Sequence, residues 1–210
     1  MITFEQFLQR FCKRAGIQQP ILEEELTAYI RREFFVLCNR GVINSTYLKR
    51  YKSYFERVGV IYNKTNRSVK DLCIFAEGEV LSIIGENTLV YCINSSIIIK
   101  DNVRAICKNS KVSGWDNAKL NAIQCYDITL LDNAEAVIEN CSNVKAKNNV
   151  KIHIVRGIVS VSDYVTVEAT DTCYVKARNY AKITAKNNIY IEATDDVEIK
   201  ADLSCSINHI

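Results

Sequence analysis

His153 and His209 are the only histidines in 210 residues, and histidine is the commonest general base at neutral pH. No Ser or Cys stands at a recognisable spacing from either one, so no activated nucleophile is spelled out. Asp163 with Asp171, and Asp195 with Asp196, offer paired carboxylates or calcium ligands. The glycine-rich calcium repeat is absent, however, and each of these Asp residues already has a place at a turn. Neither common glycine-rich phosphate loop occurs. The nine cysteines contain no C-x-x-C, so they do not read as a zinc ribbon or a thioredoxin-like pair. The expectation is therefore no catalytic set, no cofactor, no metal, and a protein that is not an enzyme.

The remaining chemistry is that of recognition. Tyr164 and Tyr180 stand sixteen residues apart, as do Tyr174 and Tyr190, and together they form a candidate contact surface. Lys49, Arg50, Lys52 and Arg57 form a basic run that can meet phosphates, against the plainer reading of a solvated helix face. Charge is uneven: residues 1–70 hold 13 basic and 6 acidic side chains, and the rest of the chain holds 14 and 18.

The element that must position these residues is a repeat. From Asp163 the chain reads DYVTVEAT, DTCYVKAR, NYAKITAK, NNIYIEAT, DDVEIKAD, LSCSINHI. Positions three and five are apolar, position seven is Ala in all but the last block, and positions four and six are mostly polar. Alternation with period two predicts strands, since such spacing would spread apolar groups around a helix. Asp163, Asp171, Asn179, Asn187 and Asp195 open the blocks, as Asn and Asp suit corners built without glycine. A short fixed period without hairpin turns predicts a solenoid whose coils bury their faces on one another.

Two blocks per coil bring Tyr174 to Tyr190, Tyr164 to Tyr180, and Lys176 to Glu192, the pairings neighbouring strands favour. The expectation is a mainly β, two-sided parallel β-solenoid of about sixteen-residue coils with an N-terminal α-helical cap domain. Cys125 and Cys141 fall one coil apart, as do Cys92 and Cys107. Their spacing admits disulfides, but small buried thiols are the favoured reading.

The divisions are 1–60, a three-helix unit; 61–77, a connector; and 78–210, the solenoid. Thr3 and Gln6 form a capping box for a first helix over 3–15, and Gly16 stops it. Pro20 suits the first turn of a second helix reaching Arg40, with Leu22, Leu26, Tyr29, Ile30, Phe34 and Leu37 facing inward. Ser45 caps a third helix to about Arg57. VGVIY alternates weakly and NKTNRSVKD reads as a loop. One residue is missing at RGIVSVS, as a shortened corner would explain. No segment is apolar enough to span a bilayer, and the start lacks a secretory pattern. A cytoplasmic protein with reduced thiols is expected.

The blocks DNAEAVIE, DTCYVKAR and NNIYIEAT resemble the octapeptide-repeat β-solenoid proteins of bacteria and bacteriophages. The resemblance covers about residues 78–210. It implies the architecture, a phage or mobile-element origin, and little about function, since such repeats serve many proteins. Hexapeptide acyltransferases, ice-binding solenoids and pectin-degrading β-helices match less well. The leading expectation is a structural or protein-interaction module. Its helical head caps or assembles, its solenoid presents a surface, and its partner is a second copy or another protein, without a membrane. One alternative is a nucleic-acid-binding regulator using Lys49, Arg50, Lys52 and Arg57. A second is a carbohydrate-binding or carbohydrate-active β-helix, or an enzyme with its site beside His153.

Overall fold

A computed structural model describes residues 2–18, 21–63, 66–194 and 196–210. Pro20 and Asp195, assigned above to a helix start and a corner, lie outside the described residues. Among the described residues the fold is mainly β: a parallel solenoid of about nine turns, with four helices at the N-terminus. All strand pairings among the described residues are parallel, and the strands form two walls. The first wall begins with Val60–Tyr62, Cys73–Glu77 and Leu89–Ile93. The second begins with Asn66–Lys70, Val80–Glu86 and Ser96–Asp101. Glu135–Ala146, Lys151–Val161 and Thr166–Ala177 each run through both walls around a corner.

Alternation places Ile183, Ile191, Val167 and Val175 between the walls, where they are essentially fully buried. Each such side chain contributes roughly 1.5–3 kcal/mol by leaving water. The Ala column, Ala169 over Ala185 and Ala177 over Ala193, lets the walls pinch together. Burial falls off in the last coil, where Cys205 is half-buried and Ile207 exposed.

Corners follow a chemical rule. Sixteen described non-glycine residues have positive φ, and fourteen of them are Asn or Asp, the non-glycine residues that best tolerate the left-handed region. They recur once per half coil, and Gly78 takes the same role at φ 71. At the outer edge they also bond from rung to rung. Asn148 donates to Asp132 at 3.0 Å and Asn179 to Asp163 at 2.9 Å.

At the opposite edge an inner ladder runs through Ser95, Ser110, Cys125, Cys141 and Cys173. Ser95 and Ser110 each donate to the carbonyl two residues back, at 2.8 and 2.7 Å, and the Cys125 and Cys141 thiols do likewise. Gly157 occupies this column because nothing larger fits: a Cβ there would lie 2.5 Å from the Cys141 carbonyl oxygen. The missing residue is at this corner, where Val155 pairs with Thr170 and Gly157 with Cys173.

Helix α1 spans Phe4–Ala15 with the capping box in place, and α2 spans Glu23–Asn39. Leu22 is not a core residue. It sits at the N-cap of α2, outside the helical turn, 73% exposed, with its N–H given to the Glu25 carboxylate at 2.8 Å. The third helix is two short ones, α3 (Ser45–Arg50) and α4 (Lys52–Arg57). Asn44 rather than Ser45 caps α3, its side chain accepting from the Tyr47 N–H at 2.9 Å. The break falls at Tyr51, whose buried ring packs at 5.5 Å from Phe7.

The helical unit covers the solenoid from the side. Its core, with Phe7, Phe11, Phe34 and Phe55, is continuous with Cys73, Phe75, Leu89 and Tyr91 on the outer face of the first wall. This explains where the solenoid starts. Residues 61–77 contain parallel strands rather than a connector, and Asn66–Lys70 is a strand rather than a loop. With helices on one side and the core on the other, Cys73–Ala76 are buried on both faces. Alternation is lost there.

Candidate interaction surfaces

The tyrosine pairs form as their spacing predicts. Tyr164 and Tyr180 stack at 5.4 Å with 13° between rings, and Tyr174 and Tyr190 at 5.4 Å with 14°. The two stacks occupy different surfaces. Tyr174 and Tyr190 stand on the outer face of the second wall. Tyr164 and Tyr180 follow the corner residues Asp163 and Asn179, where coils turn into the first wall. Lys176 meets Glu192 at 3.2 Å. The hydrogen bond from Tyr174, followed by that from Lys176, holds the Glu192 carboxyl below its ordinary range.

The basic run does not converge. Arg57 grips Glu23 with both prongs of its guanidinium and lies over the Phe4 ring at 4.2 Å. Lys52 is 3.9 Å from Glu56, Lys49 lies over the Tyr62 ring, and Arg50 over that of Tyr51. Two of the four cations therefore already have carboxylate partners. The carboxylate pair Asp163 and Asp171 separates to opposite corners. Asp163 accepts from Asn179, and Asp171 lies 3.9 Å from Arg156. Among the described residues, no group of three or more His, Cys, Asp or Glu is arranged to hold a metal. No described helix is long and apolar enough to cross a membrane.

All nine cysteines are free thiols. Cys125 donates its N–H to the Cys141 sulfur at 3.3 Å. The thiol contact between them lowers the pKa of Cys125 and, with burial, raises that of Cys141. Cys92 and Cys107 pair directly across adjacent strands, and burial pushes the Cys107 thiol well up. His209 pairs with Ala193 in the last coil and is exposed.

His153 does border a concavity. A groove of about 550 Å³ lies on the outer face of the first wall, where the helical unit ends. Phe35 of α2 forms its rim, Ile106 and Val137 line its floor, and Arg104, Lys119 and Lys151 edge it. His153 Nδ1 is 3.6 Å from the Glu168 carboxylate, and both side chains are open to water. Register aligns Tyr91, Ile106, Asn121, Val137 and His153 in one column. This groove was missed from sequence. Its signal is an apolar residue at an outward position: Ile106 in DNVRAICK and Val137 in DNAEAVIE both stand at position six.

No model of a known protein family matches the chain, and no curated protein sequence matches it.

Proposed function

We propose that this chain is a non-enzymatic docking and assembly module. The helical unit anchors one end, and the stiff solenoid presents fixed surface to another protein or to a second copy of itself. The observation that carries this reading is a set of apolar residues at outward positions at and beyond the edge of the helical footprint, interleaved with Asn121 and Glu139. Outward positions on a solvated wall are ordinarily polar, and a group of apolar residues on such a wall marks an interaction site. The helices bury that face over the first three rungs through Val60, Cys73, Phe75, Leu89 and Tyr91. Ile106, half-buried, closes that contact at its edge, and Ile123 and Val155, half-buried, with Val137, 48% exposed, stand on the rungs beyond it. The tyrosine stacks add rigid rings with a polar tip, a side chain that loses little entropy when it forms a contact.

The test is light scattering behind size exclusion over a wide concentration range, with binding of a labelled amphipathic helical peptide measured alongside. Val137→Glu is expected to dissolve an oligomer, or to abolish peptide binding, while the melting temperature holds. Tyr174→Ser with Tyr190→Ser is expected to have a smaller effect. A wild-type monomer that binds no such peptide, or a charged variant that behaves as wild type does, removes the reading.

A further inference from the structure

The outer face of the second wall carries a cluster that the docking reading does not use. Register places Lys145 beside Ser160, and Ser160 beside Lys176. The Ser162 N–H bonds the Ala146 carbonyl and the Arg178 N–H bonds that of Val161, which sets Lys147, Ser162 and Arg178 in the adjoining column. With about 4.8 Å per rung and about 6.6 Å for two residues along a strand, four cations mark a rectangle of about 7 by 10 Å. Two hydroxyls cross its middle. A shallow depression of about 290 Å³ lies here, lined by these six residues with Ala146 and Val161.

The rest of the ladder shows why this arrangement is unusual. Several solenoid cations find a carboxylate on the next rung: Lys111 with Asp127 at 2.7 Å, Lys119 with Glu135 at 2.9 Å, Lys182 with Glu198 at 3.2 Å. In this cluster the next rung holds serine instead. Lys176 does share Glu192, and the Ser162 hydroxyl is 3.3 Å from the Asp163 carboxylate. Among the described residues Lys145, Lys147 and Arg178 have no carboxylate partner, and the Ser160 hydroxyl has no bond. Positive charge is concentrated there and left unbalanced.

We infer that this depression binds a phosphate-type oxyanion. Arg178 supplies a planar fork, Lys145 and Lys147 supply point charges, and Ser160 supplies a neutral donor, a set that suits a tetrahedral anion. The chemistry is the same for a small phosphorylated ligand and for the backbone of a nucleic-acid strand lying across the wall.

Calorimetry with pyrophosphate at fixed ionic strength, and polarisation of a fluorescein-labelled oligothymidylate, separate the two sources. Lys145→Gln with Arg178→Gln is expected to weaken binding by about tenfold or more, from the loss of charge-assisted hydrogen bonds. Ser160→Ala is expected to weaken it a few-fold. Lys182→Gln, a cation on the other wall, is the control and is expected to change nothing. Circular dichroism melting checks that each variant folds. Pyrophosphate binding lost in the double variant supports a small ligand, and oligonucleotide binding alone, lost in the same variant, supports a strand. Binding of neither probe, or an equal loss in the Lys182 control, overturns the inference.

Discussion

The helical unit and the solenoid bury apolar surface in opposite ways. In the helical unit Phe7 alone lies within 6.4 Å, ring to ring, of Phe11, Tyr47, Tyr51, Tyr54 and Phe55. One knot of large rings ties three segments of chain together. In the solenoid the buried core residues between the walls are aliphatic side chains and thiols without rings, and each meets the rungs beside it and the wall opposite. Stability in such an array is a sum of neighbour terms. A defect in the first region should therefore spread, and a defect in the second should stay where it is made.

Phe7→Ala is the most damaging change expected, at about 3–5 kcal/mol for a fully buried ring. Helical ellipticity should be lost at a lower temperature while the strand signal survives. If both signals fall together, the contact through Phe75 and Tyr91 makes the two regions one cooperative body, and the contrast fails. Gly157→Ala should cost about 1–3 kcal/mol, because the new Cβ meets a backbone oxygen that no rotamer change can remove. Hydrogen exchange should quicken around Cys141 and Cys173 and stay unchanged in coils far from them. Faster exchange along the whole rod would mean that its coils do not act locally.

The smallest expected effect is one of acidity at the last coil. The Ser204 hydroxyl at 2.6 Å and the Asn187 N–H at 2.8 Å both donate to Asp202. These bonds hold its carboxyl down at about 2, from an ordinary 3.8. A depressed pKa means that the carboxylate's contribution is complete above about pH 4 and is lost as pH falls through about 2. Cys205–Ile210 should fray in that window before the inner coils do, and Asp202→Asn should remove the pH dependence. NMR titration checks it: a carboxyl that titrates near 3.8 would show that this corner is not closed by these bonds.

The later coils are the legible part of this molecule. Six strict blocks from Asp163 carry the walls, the corners and the sixteen-residue step, because in a stacked strand the side-chain period and the coil period are both local properties. Tyr174 over Tyr190 and Lys176 beside Glu192 follow directly. The earlier coils are harder to read because their outer face is covered. Cys73, Phe75, Leu89 and Tyr91 are apolar for the sake of the helices, so inside and outside no longer differ in polarity. The break at Tyr51 and the exposure of Leu22 turn on how helices meet one another, which no local pattern encodes. The groove beside Phe35 is hidden for the same reason, since its floor is written in the solenoid and its rim in α2. The cationic cluster is half legible: Lys145 with Lys147 and Lys176 with Arg178 hold positions six and eight of blocks two coils apart.

The left-handed residue at each corner, Asn or Asp at most of them, makes a full turn of this rod an interchangeable part. Excision of residues 163–178 would carry Asn179 into the place of Asp163, with φ of 60° against 68°, and would set Ile183 where Val167 had been. Both tips would be left as they were, closer by one pitch of about 4.8 Å. Duplication would move them apart by the same increment. The distance between the helical unit and the far tip can therefore be reset in fixed clicks, with no new contact to invent, as on a ruler whose graduations are sixteen residues long.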